Sequence, residues 1–159
     1  MTYSEQCIRL VKESEGLELH AYRDAVGVLT VGWGHTGKDV MADSKWTEAQ
    51  AEAQLAADLE IACEQVQKLV TVPLTQGQLD ALTDFVFNMG AARLKDSTLL
   101  KLLNMGHYDS ACAQLYWVDD SGKPHGWIYA GGEILPGLVT RRKREQGLWN
   151  NTEAAFGAQ

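Results

Sequence analysis

Glu15, Asp24 and Thr30 stand in the order E-x8-D-x5-T, and side chains of these types suit acid–base cleavage of a glycosidic bond. That reaction needs one carboxyl that stays protonated to donate to the leaving oxygen, and a second that is ionised to steer a nucleophile or stabilise charge on the sugar. The two must therefore sit in unlike surroundings. An apolar helix face disfavours the charged form of a carboxyl, whereas a polar turn lets one remain ionised. A threonine hydroxyl both donates and accepts, which suits it to holding a water against the second carboxyl. By spacing alone the pattern is weak, because a glutamate at a helix end and an aspartate in a turn are common surface features.

The elements that would position these residues follow from local rules. Thr2 with Glu5 reads as a capping box, and Ile8, Val11 and Glu15 fall on one face of the helix that follows, with Gly16 as its stop. Residues 17–36 change to short β-prone runs, with a turn at Asp24-Ala25-Val26-Gly27 and a strand over Val28–Trp33. Alternation sends Leu29, Val31 and Trp33 to one face and Val28, Thr30 and Gly32 to the other, and Gly32 and Gly34 leave room for a close approach. Thr47 with Gln50 is a second capping box, opening a long alanine-rich helix over about residues 47–70 with a stripe of Leu55, Leu59, Ala62, Val66 and Leu69. Pro73 ends it, and Thr75 with Gln78 starts another helix whose Leu79, Leu82, Phe85 and Val86 face a core. Further helices are expected near 97–104, 108–118 and 136–149, and residues 119–135, rich in glycine and polar side chains, read as an extended loop. The expectation is a single α+β domain over residues 1–159. It comprises a small N-terminal β-hairpin lobe at about 14–46, a connecting helix at 47–70, and a larger helical lobe at 71–149 on which the first helix packs. A tail covers 150–159, and the active-site cleft lies between the lobes.

Composition narrows the class. With 45% hydrophobic and 22% charged residues the chain is of ordinary globular type. The net charge of −7 is uneven, with twelve acids against six bases in residues 1–72 and nine against eight in residues 73–159, so a nucleic-acid partner is not expected. The basic run Arg141–Arg144 could contact an anion, but most of it reads as a solvated or dipole-compensating feature. Three widely spaced cysteines, Cys7, Cys63 and Cys112, signal neither a disulfide framework nor zinc, and read as buried or free thiols. His20, His107 and His125 show no ligand spacing, so no metal is expected. No basic segment followed by an apolar stretch stands at the N-terminus and no apolar run approaches a membrane span, so neither export signal nor stable membrane insertion is expected. Of the five tryptophans, Trp127 in the glycine-rich loop is the best placed to stack on a sugar.

The local sequence around the three residues adds to this. Glu15-Gly16-Leu17, Tyr22-Arg23-Asp24 and the run from Leu29 to Thr36 resemble the N-terminal signature of the phage-type lysozymes, the endolysins that degrade bacterial walls. Phe87-Asn88-Met89-Gly90 and the run from Gly137 to Arg142 with Glu145 resemble the same family, so that the resemblance spans about residues 5–149. It implies a lysozyme-like fold and hydrolysis of the β-1,4 bond between N-acetylmuramic acid and N-acetylglucosamine in peptidoglycan, with inversion. Glu15 would be the proton donor, and Asp24 with Thr30 would position the attacking water. Arg141, or its neighbour Arg142, would reach Glu15; Phe87 and Asn88 would line the cleft; Gly34, His35 and Thr36 would support it, His35 as a hydrogen-bonding residue. No metal or organic cofactor is implied. The implied setting is synthesis in the host cytoplasm without a leader, passage through a membrane pore made by a holin, action on the wall in the periplasm as a monomer, and lysis of the host. A lytic transglycosylase, or a noncatalytic peptidoglycan-binding protein on the same fold, are the alternatives; the Asp24–Thr30 pair speaks against the first, and the intact set of three residues against the second.

Overall fold

The computed structural model describes residues 1–151, and residues 152–159 of the expected tail lie outside them. Helix α1 (Glu5–Glu15) buries Cys7, Leu10 and Val11. Its cap is Ser4 rather than the expected Thr2: the Ser4 hydroxyl accepts from the Gln6 N–H and is itself tied, through its N–H and O–H, to the buried carboxylate of Asp80. A tertiary partner thus moves the helix start past the local Thr2–Glu5 signal. Gly16 ends the helix with φ 72°, a conformation in which any other residue would be strained.

Strands β1 (Glu18–Arg23), β2 (Leu29–Gly32) and β3 (His35–Thr36) form an antiparallel sheet in chain order. Tyr22 pairs with Thr30, which pairs in turn with Thr36, so Thr30 lies in the central strand. Helix α2 (Glu48–Leu69) starts at the expected reciprocal box of Thr47 and Gln50, and α3 (Gln76–Met89) at that of Thr75 and Gln78. Eight successive residues of α3, Leu79–Val86, are buried, which makes it the centre of the helical part. Around it pack Ala62 and Val66 of α2, and Leu99 and Leu103 of α5 (Thr98–Asn104). Ala111 of α6 (Tyr108–Ala113) and Leu148 and Trp149 of α7 (Pro136–Trp149) complete the cluster. Gly77 lets α3 meet α7, since a side chain there would run into the Leu148 carbonyl. A short helix, α4 (Ala91–Lys95), follows α3. A second cluster joins Cys7 and Val11 of α1 to Leu55 and Leu59 of α2. All three cysteines are buried free thiols.

Two further expectations are corrected. The helix expected over 108–118 stops at Ala113, and β4 (Tyr116–Val118) pairs with β5 (Pro124–Gly126) instead. The aromatic and β-branched residues Tyr116, Trp117 and Val118 suit a strand, and Asp119 folds the turn by accepting from the N–H groups of Ser121 and Lys123. The rest of the expected 119–135 loop holds a second hairpin, β6 (Tyr129–Ala130) with β7 (Glu133–Ile134), turning at Gly131 and Gly132.

Candidate active site

Glu15 closes α1, and its side chain is 20% exposed. On one side Arg141 donates from Nη1 to Glu15 Oε1. Arg141 is in turn gripped by Asp84 of α3 through Nε to Oδ2 at 2.9 Å and Nη2 to Oδ1 at 2.7 Å. On the other side stands Gly34: a Cβ there would lie 2.7 Å from both the carboxyl carbon and Oε2 of Glu15. With its φ of +83°, Gly34 supplies both the backbone conformation and the room. Glu15 is therefore clamped between a buried guanidinium and bare backbone.

The open choice between the two arginines is thus resolved. Arg141 meets Glu15, while Arg142 donates to Asn88 Oδ1 at 2.8 Å, lies 5.1 Å from the Phe85 ring and packs against Glu145. Both are buried, which corrects the reading of Arg141–Arg144 as solvated for its first two members. The reason is long-range: their partners Asp84, Glu15 and Asn88 come from α1 and α3. Burial by itself would push the Asp84 carboxyl up, but the charge and hydrogen bonds of Arg141 outweigh it and hold Asp84 below the ordinary aspartate range. Burial would likewise lower Arg141, yet Asp84 and then Glu15 hold it protonated, above its ordinary value.

Asp24 stands at the turn between β1 and β2. Its Oδ1 accepts from the N–H groups of Val26 (3.0 Å) and Val28 (2.8 Å), and its own N–H donates to the Val28 carbonyl. These bonds occupy one carboxylate oxygen with the turn and leave Oδ2 without a hydrogen bond among the described residues. Thr30 is only 3% exposed, and its hydroxyl donates to the Val28 carbonyl at 3.0 Å. Asp24 and Thr30 therefore hold the two polar ends of Val28, and the Thr30 oxygen keeps its lone pairs for accepting.

Glu15, Asp24, Asn88 and Arg141 line one cleft of about 770 Å³. Thr30 does not line it: it is buried within the central strand β2, so its hydroxyl does not reach into the cleft as expected and instead braces Val28 in the Asp24 turn. Gly34, His35, Thr36 and Phe87 border an adjoining recess of about 180 Å³ with Asp58 of α2. His35 is held there at both ring nitrogens, by Asp58 at 2.7 Å and Asp39 at 3.1 Å. Phe87 also faces the Arg141 guanidinium, 5.9 Å from the ring centroid. Trp127 departs from the sugar-stacking expectation: it packs edge-on against Phe85, with centroids 5.3 Å apart, on the outside of the core. Among the residues that line or support the cleft, Asp84, Arg93 and Tyr129 were not singled out from sequence. Asp84 had a visible signal, being a charged residue within the apolar face of α3. Arg93 and Tyr129, which line the cleft, had none, because they reach it through α4 and the unforeseen β6–β7 hairpin.

The chain is similar to known proteins over most of its length. The family profile described as phage lysozyme matches residues 12–145. A SAR-endolysin of Bacteriophage PS119 is 41% identical over 137 residues, covering 85% of this chain and 77% of the relative. Among solved structures, P22 lysozyme superposes with a TM-score of 0.72 at 34% identity, over 94% of this chain and 99% of that one. The muramidase domain of SpmX from Asticaccaulis excentricus does so with a TM-score of 0.75 at 31% identity, over 93% and 97%.

Proposed function

The chain belongs to the phage lysozyme family, and from that premise we propose how its own residues divide the work of cleaving the wall. The protein is a glycoside hydrolase, a lysozyme of the endolysin kind, and its substrate is bacterial peptidoglycan. The observation that carries the residue assignment is the placement of the clamped Glu15 and the turn-held Asp24 in one cleft.

In the proposed reaction Glu15, in its acid form, donates its proton to the glycosidic oxygen between N-acetylmuramic acid and N-acetylglucosamine as the bond to the anomeric carbon breaks. A water attacks that carbon from the opposite face and gives a proton to Asp24, so the product is inverted and both carboxyls are reset by proton exchange with solvent. Asp24 Oδ2 is the acceptor, because Oδ1 is held by the turn. Thr30, buried outside the cleft lining, acts on the water through the turn: its hydroxyl donates to the Val28 carbonyl, and the Val28 N–H holds Asp24 Oδ1, so that Oδ2 keeps its aim. Arg141 aims the Glu15 carboxyl, Gly34 provides its seat, and Phe87 and Asn88 face the sugars. His35 and Thr36 shape the recess beside them.

The wider setting is part of the same proposal. We read the chain as one two-lobed domain with α2 as the connection, acting as a monomer. Among the described residues no helix is long and apolar enough to cross a membrane. We place synthesis in the host cytoplasm and passage to the periplasmic wall through a holin pore; lysis of producing cells in which no pore-former is present would refute that route. The residue assignment is tested by mass spectrometry of muropeptides released from purified peptidoglycan. Reducing muramic acid ends from the wild type and none from Glu15→Gln are expected. Anhydro ends would overturn the hydrolytic reading in favour of a transglycosylase, and full activity of Glu15→Gln would overturn the role of Glu15.

A further inference from the structure

Behind the clamp lies a charged cluster larger than holding Glu15 requires. Asp84, Arg142 and Glu145 are wholly buried and Arg141 nearly so. Glu145 lies on α7 four residues after Arg141, hence on the same helix face, and in hydrogen-bond contact with the Asp84 carboxyl. The groups around it come from every packed element. Arg141 and Arg142 share its helix, Asp84 belongs to α3, and Glu15 reaches the same arginines from α1. The thiols of Cys112 on α6, facing Glu145, and Cys7 on α1, facing Asp84 and Arg141, are pushed up by burial and remain neutral.

The Arg142 Nη2 lies 2.8 Å from Glu145 Oε1, yet it is aligned to donate to Asn88 instead, and neither oxygen of Glu145 receives an N–H or O–H. An anion in that position would have only the misaligned Arg142 guanidinium beside it and would press against a second carboxylate. Two carboxyls in such contact do not both ionise, and the one gripped by the Arg141 fork is Asp84. The remaining proton belongs to Glu145, whose acidity burial also weakens well past the ordinary glutamate range.

We propose that Glu145 is a positioning residue for Glu15: held as a neutral carboxylic acid, it donates its O–H to Asp84 and so fixes the plane in which that carboxylate grips Arg141 and aims it. The inference rests on the reading of Glu15 as the catalytic acid. Glu145 contributes no proton to the substrate. It completes a chain of bonds from Glu145 through Asp84 and Arg141 to Glu15.

Infrared spectroscopy at neutral pH separates this inference from the reading beneath it. The carbonyl band of a buried protonated carboxyl is expected to persist in Glu15→Gln, where the catalytic acid is absent, and to vanish when Glu145→Gln is added to that variant. A band lost in Glu15→Gln and kept in Glu145→Gln would overturn the inference while leaving Glu15 as the acid. Kinetics supply the second arm. Glu145→Gln retains a donor and is expected to keep kcat and the basic limb of the pH–rate profile. Glu145→Met, shown folded by circular dichroism, is expected to lose kcat roughly tenfold with little change in KM, as for a small misplacement of a catalytic group. A folded Glu145→Met with unchanged kcat and pH profile would overturn the positioning role. A basic limb moved to lower pH in Glu145→Gln would show instead that Glu145 is an anion balancing Arg142.

Discussion

Replacing Gly34 by alanine tests the clamp at its barest point. The new Cβ would sit 2.7 Å from the Glu15 carboxyl, where about 3.4 Å is ordinary contact, so some 0.7 Å must be found. Glu15 cannot supply it freely, because Arg141, itself fixed by two bonds to Asp84, holds the other side. The backbone at φ +83° adds strain of its own, about 1–3 kcal/mol for a non-glycine residue. Crowding the packed seat adds about 1–3 kcal/mol. For a domain of this size the two together correspond to a fall in Tm of roughly 4–24 °C.

The effect on catalysis is expected to exceed the effect on folding. Misplacing a reacting group by about 1 Å costs on the order of a hundredfold in rate, so kcat should fall by roughly 30- to 100-fold at a temperature where the variant is fully folded. The control is Gly122→Ala. Gly122 has a similar φ of +82° with open space beside it, in the β4–β5 turn. It should share the backbone strain and lose Tm, yet degrade purified peptidoglycan at the wild-type rate. If Gly34→Ala kept wild-type kcat, or if Gly122→Ala lost as much activity, the contact between Gly34 and Glu15 would not be what positions the acid.

Other perturbations separate the remaining parts. Asp24→Asn keeps an Oδ1 for the Val26 and Val28 N–H groups, so thermal unfolding should barely change, while turnover falls by about a hundredfold or more through loss of the base; a mild loss of turnover would argue against that role. Asp84→Asn leaves Arg141 buried beside a neutral partner and should cost about 3–5 kcal/mol at neutral pH in urea unfolding. Because Asp84 is held below its ordinary value, its stabilisation is present above the unfolded aspartate value and is lost as pH falls through the folded one, so wild type and variant should converge in acid. Glu145, held above the ordinary range, has the opposite sign: wild-type stability should decline as pH rises toward its folded value, and Glu145→Gln should not show that decline. Trp127→Leu should destabilise by about 1–3 kcal/mol with KM unchanged, since the indole packs on Phe85; a raised KM would return Trp127 to the substrate.

What could be read from sequence was what local chemistry decides. The boxes at Thr47–Gln50 and Thr75–Gln78 formed as written, because each cap satisfies backbone donors within three residues. The turn at Asp24 formed for the same reason. Expectations failed where a distant partner outbid the local one. Ser4 displaced Thr2 as a cap because Asp80, 76 residues on, holds it. The strand at Tyr116–Val118 replaced a helical turn because Pro124–Gly126 folds back to pair with it. By local chemistry most of the run 141–144 read as solvated, because the partners of Arg141 are distant, Asp84 57 residues away and Glu15 126; only the family resemblance aimed an arginine at Glu15. Glu15, Asp24 and Thr30 were legible as candidates, and so by resemblance was the arginine, but Asp84, which completes the means of holding Glu15, was not singled out.

That means of holding is difficult to explain by stability alone. Desolvating ions costs several kcal/mol each, and well-packed apolar side chains of similar volume often replace a buried ion pair with no loss or with a gain of about 1–4 kcal/mol. The face shared by α3 and α7 already carries Leu82, Phe85, Leu148 and Trp149, so an apolar continuation through positions 84, 141, 142 and 145 would extend a core that exists. An apolar residue at 141, however, has no direction to impart to a carboxyl at the end of another helix. A guanidinium does, because its planar fork fixed by two bonds leaves the remaining N–H groups pointing in set directions. The buried charges of α3 and α7 thus cost stability in return for orientation. The chain spends them at the junction where α1 ends and the cleft begins, so a variant with the four positions replaced by packed apolar side chains should unfold at an equal or higher temperature and hydrolyse peptidoglycan far more slowly.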